Sequence, residues 1–284
     1  MSENKKFKDL TIRDNFMFAA VMMHGDNCKL FLEMLLGISI KEIEISREKS
    51  LIYNPEYKGV RLDVYANDEN NTRYDIEMQV ATQKLGKRIR YYHSQMDMEL
   101  LESGHKYNEL PASYVIFICD FNPFKRKRYC YTFETRCVEE MDVSLEDESI
   151  SIVLSTKGEN VEAIPKELKD FLTFVKDDNP ENNSESDDKY VRKLQQTIRS
   201  VKENRTMERG YMAWIDIRDE IRDEAKEEGK KESVLNLLGE LGTIPEGVQK
   251  AIMAESRNDA LDAMVRIAAR SSSFSDFQEK IAKL

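Results

Sequence analysis

Two short segments of alternating side chains, separated by a polar turn, constrain this chain more than any other feature. Residues 61–66 read Arg-Leu-Asp-Val-Tyr-Ala, residues 75–80 read Asp-Ile-Glu-Met-Gln-Val, and the polar stretch 67–71 lies between them. Side chains alternate between the two faces of a β-strand, so the pattern predicts a hairpin with one apolar face. The apolar face collects Leu62, Val64, Ala66, Ile76, Met78 and Val80, and the opposite face collects Arg61, Asp63, Tyr65, Asp75, Glu77 and Gln79.

Three carboxylates share the polar face of this predicted hairpin. In the register that pairs the two apolar faces, Asp63 lies close to Glu77 on the neighbouring strand. Carboxylates at that distance repel each other unless a cation lies between them, and a hard divalent ion with oxygen ligands suits such a site. The alternative is an ordinary hairpin whose charged face is solvated and carries no chemistry.

The composition narrows the class of protein. With 284 residues, 40% hydrophobic and 34% charged, the chain fits a soluble globular protein of one large or two ordinary domains. Net charge is −10, so we expect any nucleic-acid binding to use a local basic patch. No apolar run approaches the ~20 residues of a membrane span, and the first six residues do not resemble a signal peptide.

Cysteine and histidine placement excludes two further classes. The four cysteines show no Cys-x-x-Cys spacing, and the three histidines are scattered without zinc-like partners. We therefore expect a cytoplasmic protein without a disulfide scaffold or a zinc site.

The order of patterns along the chain predicts three regions. Residues 1–176 combine helices, the hairpin and the apolar run 114–119, which is typical of a strand buried on both faces and parallel to its predecessor. Residues 177–189 are almost wholly polar and predict a flexible linker. Residues 190–284 predict a helical region for interaction or oligomerisation.

Two helical patterns concern the start of the first helix and the packing of the C-terminal helices. Residues 11–14, Thr-Ile-Arg-Asp, are typical of a capping box that opens a helix. An apolar stripe from Val191 to Ile221 is interrupted at Asn204 and Glu208. Such a stripe predicts either a seam with a second copy or a helix packed on its own domain.

Five short motifs in the order of these elements resemble the PD-(D/E)XK nucleases, and more narrowly the recombination-promoting nuclease and PD-(D/E)XK transposase-like family of bacteria. The likeness spans about residues 8–135, and the motifs lie at residues 14–18, 59–64, 74–79, 87–92 and 104–107. The resemblance implies an α/β fold: a restriction-endonuclease-like core with a mixed sheet flanked by helices, followed by an all-helical C-terminal region.

The resemblance also implies a metal-dependent endonuclease that hydrolyses phosphodiester bonds of DNA. Asp63 and Glu77 then hold one or two Mg²⁺ or Mn²⁺ ions, and Gln79 takes the place of the family's lysine. A glutamine amide carries no positive charge and cannot act as a base, although it can orient a water. On this basis, replacing Gln79 by lysine is expected to keep or raise activity. The missing charge can come from the next helix, which carries Lys84, Lys87 and Arg88.

Several residues near these positions have two interpretations. Asp75 is a third metal ligand or a solvated carboxylate at a strand end, and Asp14 approaches the site or caps the first helix. Residues 125–128 are a second basic cluster, which we expect to be a loop. A further set suits contacts with DNA phosphates and bases, or else forms a solvated helix face: Lys87, Arg88, Arg90 and Tyr91.

Two rival functions remain open at this point. Because Gln79 replaces the lysine, the fold could grip DNA or a protein without cutting it. The chain could also be an interaction protein that forms a homo-oligomer through its helical C-terminal region. Cleavage of supercoiled DNA with a divalent metal separates the nuclease from both alternatives.

Overall fold

The structure is a computed structural model that describes residues 5–51, 60–101, 104, 106–177, 179 and 185–283. The contacts between residues divide the chain into two compact units, Met1–Glu208 and Arg209–Leu284. Gly59 and His105 of the sequence motifs and linker positions 178 and 180–184 lie outside the described residues. In the described ranges no helix has both the length and the apolarity needed to cross a bilayer.

A mixed sheet forms the centre of the first unit. Its strands among the described residues are β1 Ile43–Leu51, β2 Val60–Asp68, β3 Arg73–Gln79, β4 Ser113–Cys119, β5 Cys130–Phe133 and β6 Ser149–Ser155. The order across the sheet is β1-β2-β3-β4-β6-β5. β1, β2 and β3 are successively antiparallel, β3, β4 and β6 are parallel, and β5 is antiparallel to β6. The predicted α/β class with a mixed sheet is confirmed.

Helices of the first unit cover the sheet. They are α1 Asn15–Met22, α2 Asn27–Leu36, α3 Gly86–Leu100, α4 Lys166–Lys176 and α5 Lys189–Glu203, with 3-10 turns at Phe7–Asp9, Tyr107–Glu109 and Val161–Ala163. α3 connects β3 to β4 and contacts β1 and β4, whereas α1 contacts β1 and β2. The strand predicted at 114–119 is buried almost throughout and parallel to β3, as expected for a crossover connection.

The polar face of β3 lies inside the protein. In the parallel register with β4, Glu77 pairs with Phe117, which packs in a core with Ile89 and Tyr92 of α3. The interpretation of the hairpin as an ordinary one with a solvated charged face is therefore wrong for β3, because α3 covers that face. The apolar face was also predicted to include Val80, which follows the end of β3 and is exposed.

The boundary of the first unit differs from the prediction that residues 190–284 form one separate helical region. Val191, Leu194 and Val201 of α5 are buried, and α5 contacts α1, α2 and α4. The apolar stripe in α5 therefore packs on its own domain and is not available as a seam with a second copy. α5 belongs to the first unit because its apolar side chains complete that unit's core.

The second unit is helical, as predicted. α6 spans Arg205–Gly239 and contains the boundary between the units, and it is followed by α7 Glu246–Ala254, α8 Asn258–Ala268 and α9 Phe274–Ile281. The end of α6 and the three shorter helices share a small apolar core, built from Val234, Leu238, Val248, Ile252, Leu261, Met264 and Phe277.

Candidate active site

Asp63 and Glu77 lie side by side on neighbouring strands. The β2–β3 register pairs Val64 with Ile76, which brings the preceding and following residues together. The Asp63 backbone N–H donates to Glu77 Oε1 at 3.0 Å, and the Met78 N–H donates to Asp63 Oδ2 at 3.3 Å. Each carboxylate thus accepts a hydrogen bond from the backbone of the other strand. The predicted closeness of the two residues is confirmed.

The first residue of α1 also contacts this pair. Asn15 Nδ2 lies 3.2 Å from Asp63 Oδ2 and 3.3 Å from Oδ1, so the amide donates to both oxygens of the carboxylate. Asn15 lies in motif 14–18 but was not predicted as a site residue, because its uncharged amide does not by itself indicate a role beside a carboxylate.

Asn15 contacts Asp63, whereas the carboxylate of Asp14 is bound by residues that precede it in the chain. Its Oδ2 accepts hydrogen bonds from the Thr11 N–H at 2.8 Å and from Lys5 Nζ at 3.1 Å. The segment 11–14 forms a turn, closed by the Asp14 N–H on the Thr11 carbonyl at 3.1 Å. We expected the first helix to begin within residues 11–14, but α1 begins at Asn15, so the predicted start is wrong by about one turn.

Arg88 of α3 is a cation that reaches the site residues of β3. Its Nη2 forms an ion pair with Glu77 Oε2, and its Nη1 donates to Gln79 Oε1 at 2.8 Å. Its Nε donates to the Tyr92 hydroxyl at 2.7 Å. The guanidinium also lies over the rings of Tyr92, at 4.9 Å, and of Phe117, at 5.0 Å. A guanidinium fixed by three hydrogen bonds and two aromatic faces is held in one orientation.

Gln79 is held by its neighbours on three sides. Its Oε1 accepts hydrogen bonds from Arg88 and from Gln83 Nε2, the latter at 2.6 Å, and its Nε2 donates to the Ala81 carbonyl at 2.7 Å. Gln83 was not predicted from the sequence. Both ends of the amide are thus engaged, and its oxygen binds Arg88.

The other predicted cations lie on the surface, and Lys84 precedes α3, which begins at Gly86, instead of lying on that helix as expected. Lys84, Lys87 and Arg90 are exposed, whereas Tyr91 is half-buried and packs against the core beneath the helix. The basic cluster 125–128 is an exposed loop, as expected. Of the three cations considered as substitutes for the family's lysine, Arg88 contacts the site residues.

Asp75 is the most deeply buried acid of the group. It is fully buried, and neither carboxylate oxygen accepts a hydrogen bond from the described residues. The interpretation as a solvated strand-end carboxylate is therefore wrong. Burial, followed by the negative charges of Glu77 and Asp63, raises the pKa of Asp75 well above its usual range.

Glu77 is almost as buried, with 2% of its side chain exposed. Burial and the charge of Asp63 raise the pKa of Glu77, whereas the charge of Arg88 lowers it. Of the two buried acids, Asp75 is the one to carry a proton, because Glu77 alone is bound by a guanidinium and a backbone amide.

These residues supply oxygen ligands for a metal ion but no complete cage. Within the described residues, no three side chains of histidine, cysteine, aspartate or glutamate are arranged to share one ion. Asp63 and Glu77 together offer carboxylate oxygens and excess negative charge at adjacent positions. Such a donor set fits Mg²⁺, which keeps several waters and is usually bound through one or two carboxylates.

Comparison with known proteins identifies the family of the chain. A family model described as PD-(D/E)XK nuclease family transposase matches residues 15–224, from Asn15 through the hairpin, α3 and α5 into α6. No curated protein and no solved structure matches the chain significantly. Because the match covers well over half of the chain, the protein belongs to the PD-(D/E)XK nuclease family transposases.

Proposed function

We propose that this protein is a metal-dependent DNA endonuclease that hydrolyses phosphodiester bonds. The observation that supports this most directly is the pair Asp63 and Glu77, in which the Asp63 backbone N–H donates to the Glu77 carboxylate and the Arg88 guanidinium binds Glu77. Family membership supports a nuclease or transposase-like role in general.

Asp63 and Glu77 would hold Mg²⁺ or Mn²⁺. When bound, the ion would offset the negative charge that builds on the phosphate and help to activate a water. Asn15 and the Met78 N–H keep the Asp63 carboxylate in one orientation. The Asp63 N–H does the same for Glu77, so both acids are positioned before a substrate arrives.

Arg88 would take the role of the family's lysine. Three of its five N–H groups bind Tyr92, Gln79 and Glu77 within the described residues, which leaves two for a phosphate oxygen. Its side chain is 29% exposed, so a ligand can reach it. An arginine cannot act as a base at neutral pH, hence its contribution is charge and position.

DNA would approach along the exposed surface of α3. Lys87 and Arg90 are exposed on the same helix as Arg88 and suit phosphate contacts. A local patch of this kind is what a chain with a net charge of −10 requires in order to bind a polyanion. With DNA as its substrate, the protein would act in the bacterial cytoplasm.

The second candidate is a nuclease-fold module that binds DNA or a protein without cutting it. The ion pair between Arg88 and Glu77 favours this candidate, because a guanidinium already neutralises one of the two predicted metal ligands. In that case the ion pair has replaced the metal, and the helical C-terminal region would serve oligomerisation.

Cleavage of supercoiled plasmid DNA separates the two candidates. The wild type, Asp63→Asn, Glu77→Gln and the control Glu162→Ala, an exposed acid, are compared with Mg²⁺, Mn²⁺ and a chelator. Nicking that needs metal, persists in Glu162→Ala and disappears in both site variants supports the endonuclease. Retarded plasmid without nicking in any variant supports the binding module. Equal nicking in all four proteins would place the activity outside this site.

A further inference from the structure

The outer edge of β5 has no neighbouring strand in the described part of the chain. β5 is the last strand of the sheet and pairs with β6, where Cys130 lies opposite Leu154. The Ser155 N–H donates to the Tyr129 carbonyl at 2.8 Å. In an antiparallel ladder, every second residue directs its backbone N–H and C=O groups to the same neighbouring strand. Because Tyr129 bonds to the β6 strand, the backbone groups of Cys130 and Thr132 point away from β6. Thr132 is exposed, as expected for an open edge.

Charges of opposite sign lie at the two ends of this edge. The four basic residues 125–128 precede β5 and are all exposed. The segment 139–148 follows β5, is exposed throughout, and contains six carboxylates and no basic residue. The edge is therefore positive at its beginning and negative beyond its end.

Large apolar side chains are exposed in and next to these charged segments. Phe124 and Phe133 stack edge to face at 5.2 Å between ring centres and are 37% and 46% exposed. Beyond them, Val138, Met141 and Leu145 are 83%, 67% and 66% exposed. Clusters of exposed apolar side chains next to an unpaired strand edge are typical of a surface that pairs with another chain.

We propose that β5 pairs antiparallel with β5 of a second copy of this chain across a two-fold axis. In an antiparallel pair the beginning of one strand lies beside the end of the other, so each basic run faces the acidic segment of the other copy. Pairing Cys130 with Thr132 of the second copy also puts Arg128 of one chain opposite Glu134 of the other. A surface positive at one end and negative at the other complements itself under two-fold rotation, which favours a second copy over an unrelated partner.

The proposal is tested by the mass of the full chain in solution, measured by light scattering and by sedimentation over a range of concentrations. Wild type should move from 33.1 kDa towards twice that mass. High salt should weaken the dimer, because the facing charges are exposed. A chain that stays monomeric at every concentration overturns the proposal.

Two charge-reversed variants give the sharper test. One changes residues 125–128 to glutamate, and the other carries Glu139→Lys, Glu140→Lys and Asp142→Lys. Each alone should dimerise at least about 100-fold more weakly, because like charges then face each other at both ends. A mixture of the two should form a heterodimer, and one chain carrying both sets should dimerise again. Dimers of either single set as tight as wild type would overturn the proposal, since another surface would then be in use.

A backbone variant tests the strand pairing itself. Thr132→Pro removes an N–H that points away from β6, so it should abolish the dimer and leave the fold intact by circular dichroism. Thr132→Val keeps that N–H and should dimerise like the wild type. If folded Thr132→Pro still dimerises, the edge of β5 is not the interface.

Discussion

The guanidinium of Arg88 on α3 binds Glu77 and Gln79, which lie two residues apart on β3. One residue of the crossover helix therefore fixes two of the three positions that define the candidate site. It also supplies the positive charge next to Glu77, which would otherwise be a buried carboxylate beside Asp63. We therefore expect Arg88 to contribute both to stability and to the proposed activity.

Removing Arg88 should destabilise the protein as well as inactivate it. Arg88→Ala leaves Glu77 buried without its cation, so we expect the free energy of unfolding to fall by about 3 kcal/mol, the lower end for breaking a buried ion pair. The double variant Arg88→Ala/Glu77→Gln should recover part of that loss, because no buried charge remains. Urea unfolding of the four proteins measures the coupling. Strict additivity of the two changes would mean that the ion pair contributes no coupling.

Asn15 should affect cleavage, and Asp14 should not. Asn15→Ala removes the amide that orients the Asp63 carboxylate, and we expect a loss of about 10- to 100-fold in cleavage rate. Asp14→Asn changes the adjacent residue, whose carboxylate contacts Thr11 and Lys5 instead. The reverse ranking of the two variants in a plasmid assay would restore the role considered for Asp14 from the sequence.

A lysine at position 79 should impair the site. The family resemblance suggests that Gln79→Lys restores a missing charge, but in the structure that side chain faces the Arg88 guanidinium. Two cations in contact repel each other, so we expect lower stability and slower cleavage. Gln79→Lys combined with Arg88→Gln should recover activity, since one cation remains. Activity of Gln79→Lys at or above the wild-type rate would show that Arg88 does not replace the lysine.

His93 should make the fold sensitive to acid. Its ring lies 2.8 Å from Ser113 Oγ and 3.1 Å from Ser151 Oγ, and burial lowers the pKa of His93 to about 4. The folded-state pKa is below the unfolded value, so stability is intact above pH ~6.5 and falls as the pH drops towards 4, by about 3 kcal/mol in all. Chemical denaturation of wild type and His93→Gln across this range should give a difference that shrinks with falling pH. A constant difference would contradict the expectation.

The position of α5 predicts where the chain can be shortened. A chain ending at residue 208 should keep a cooperative unfolding transition for the first unit, because α5 is retained. A chain ending at residue 188 loses Val191, Leu194 and Val201, and each such buried side chain contributes about 1.5–3 kcal/mol. We expect it to be unfolded or to melt far below the longer chain. Equal melting temperatures would mean that α5 does not stabilise the first unit.

Local sequence patterns were sufficient to predict the strands and helices whose apolar residues follow a regular pattern along the chain. The alternation in residues 61–66 and 75–80 predicted both strands and the closeness of Asp63 to Glu77, since register and side-chain direction follow from a period of two. The apolar run 114–119 predicted a buried strand because an unbroken apolar segment suits burial on both faces, and its parallel direction followed from the strand–helix–strand order. The helical character of the C-terminal region followed from its 3.6-residue periodicity.

Residue patterns alone are therefore enough to predict the hairpin, its paired acids, the mixed α/β class and the family resemblance. The folded domain was needed to show which face of β3 is buried, which cation reaches Gln79 and which residue of the first helix holds Asp63. These depend on how α1, α3 and α5 pack against elements far away in sequence, and no local period records such contacts. Asn15 meets Asp63 across 48 positions of chain, and Arg88 meets Glu77 from the next element, because packing of the whole domain brings them together.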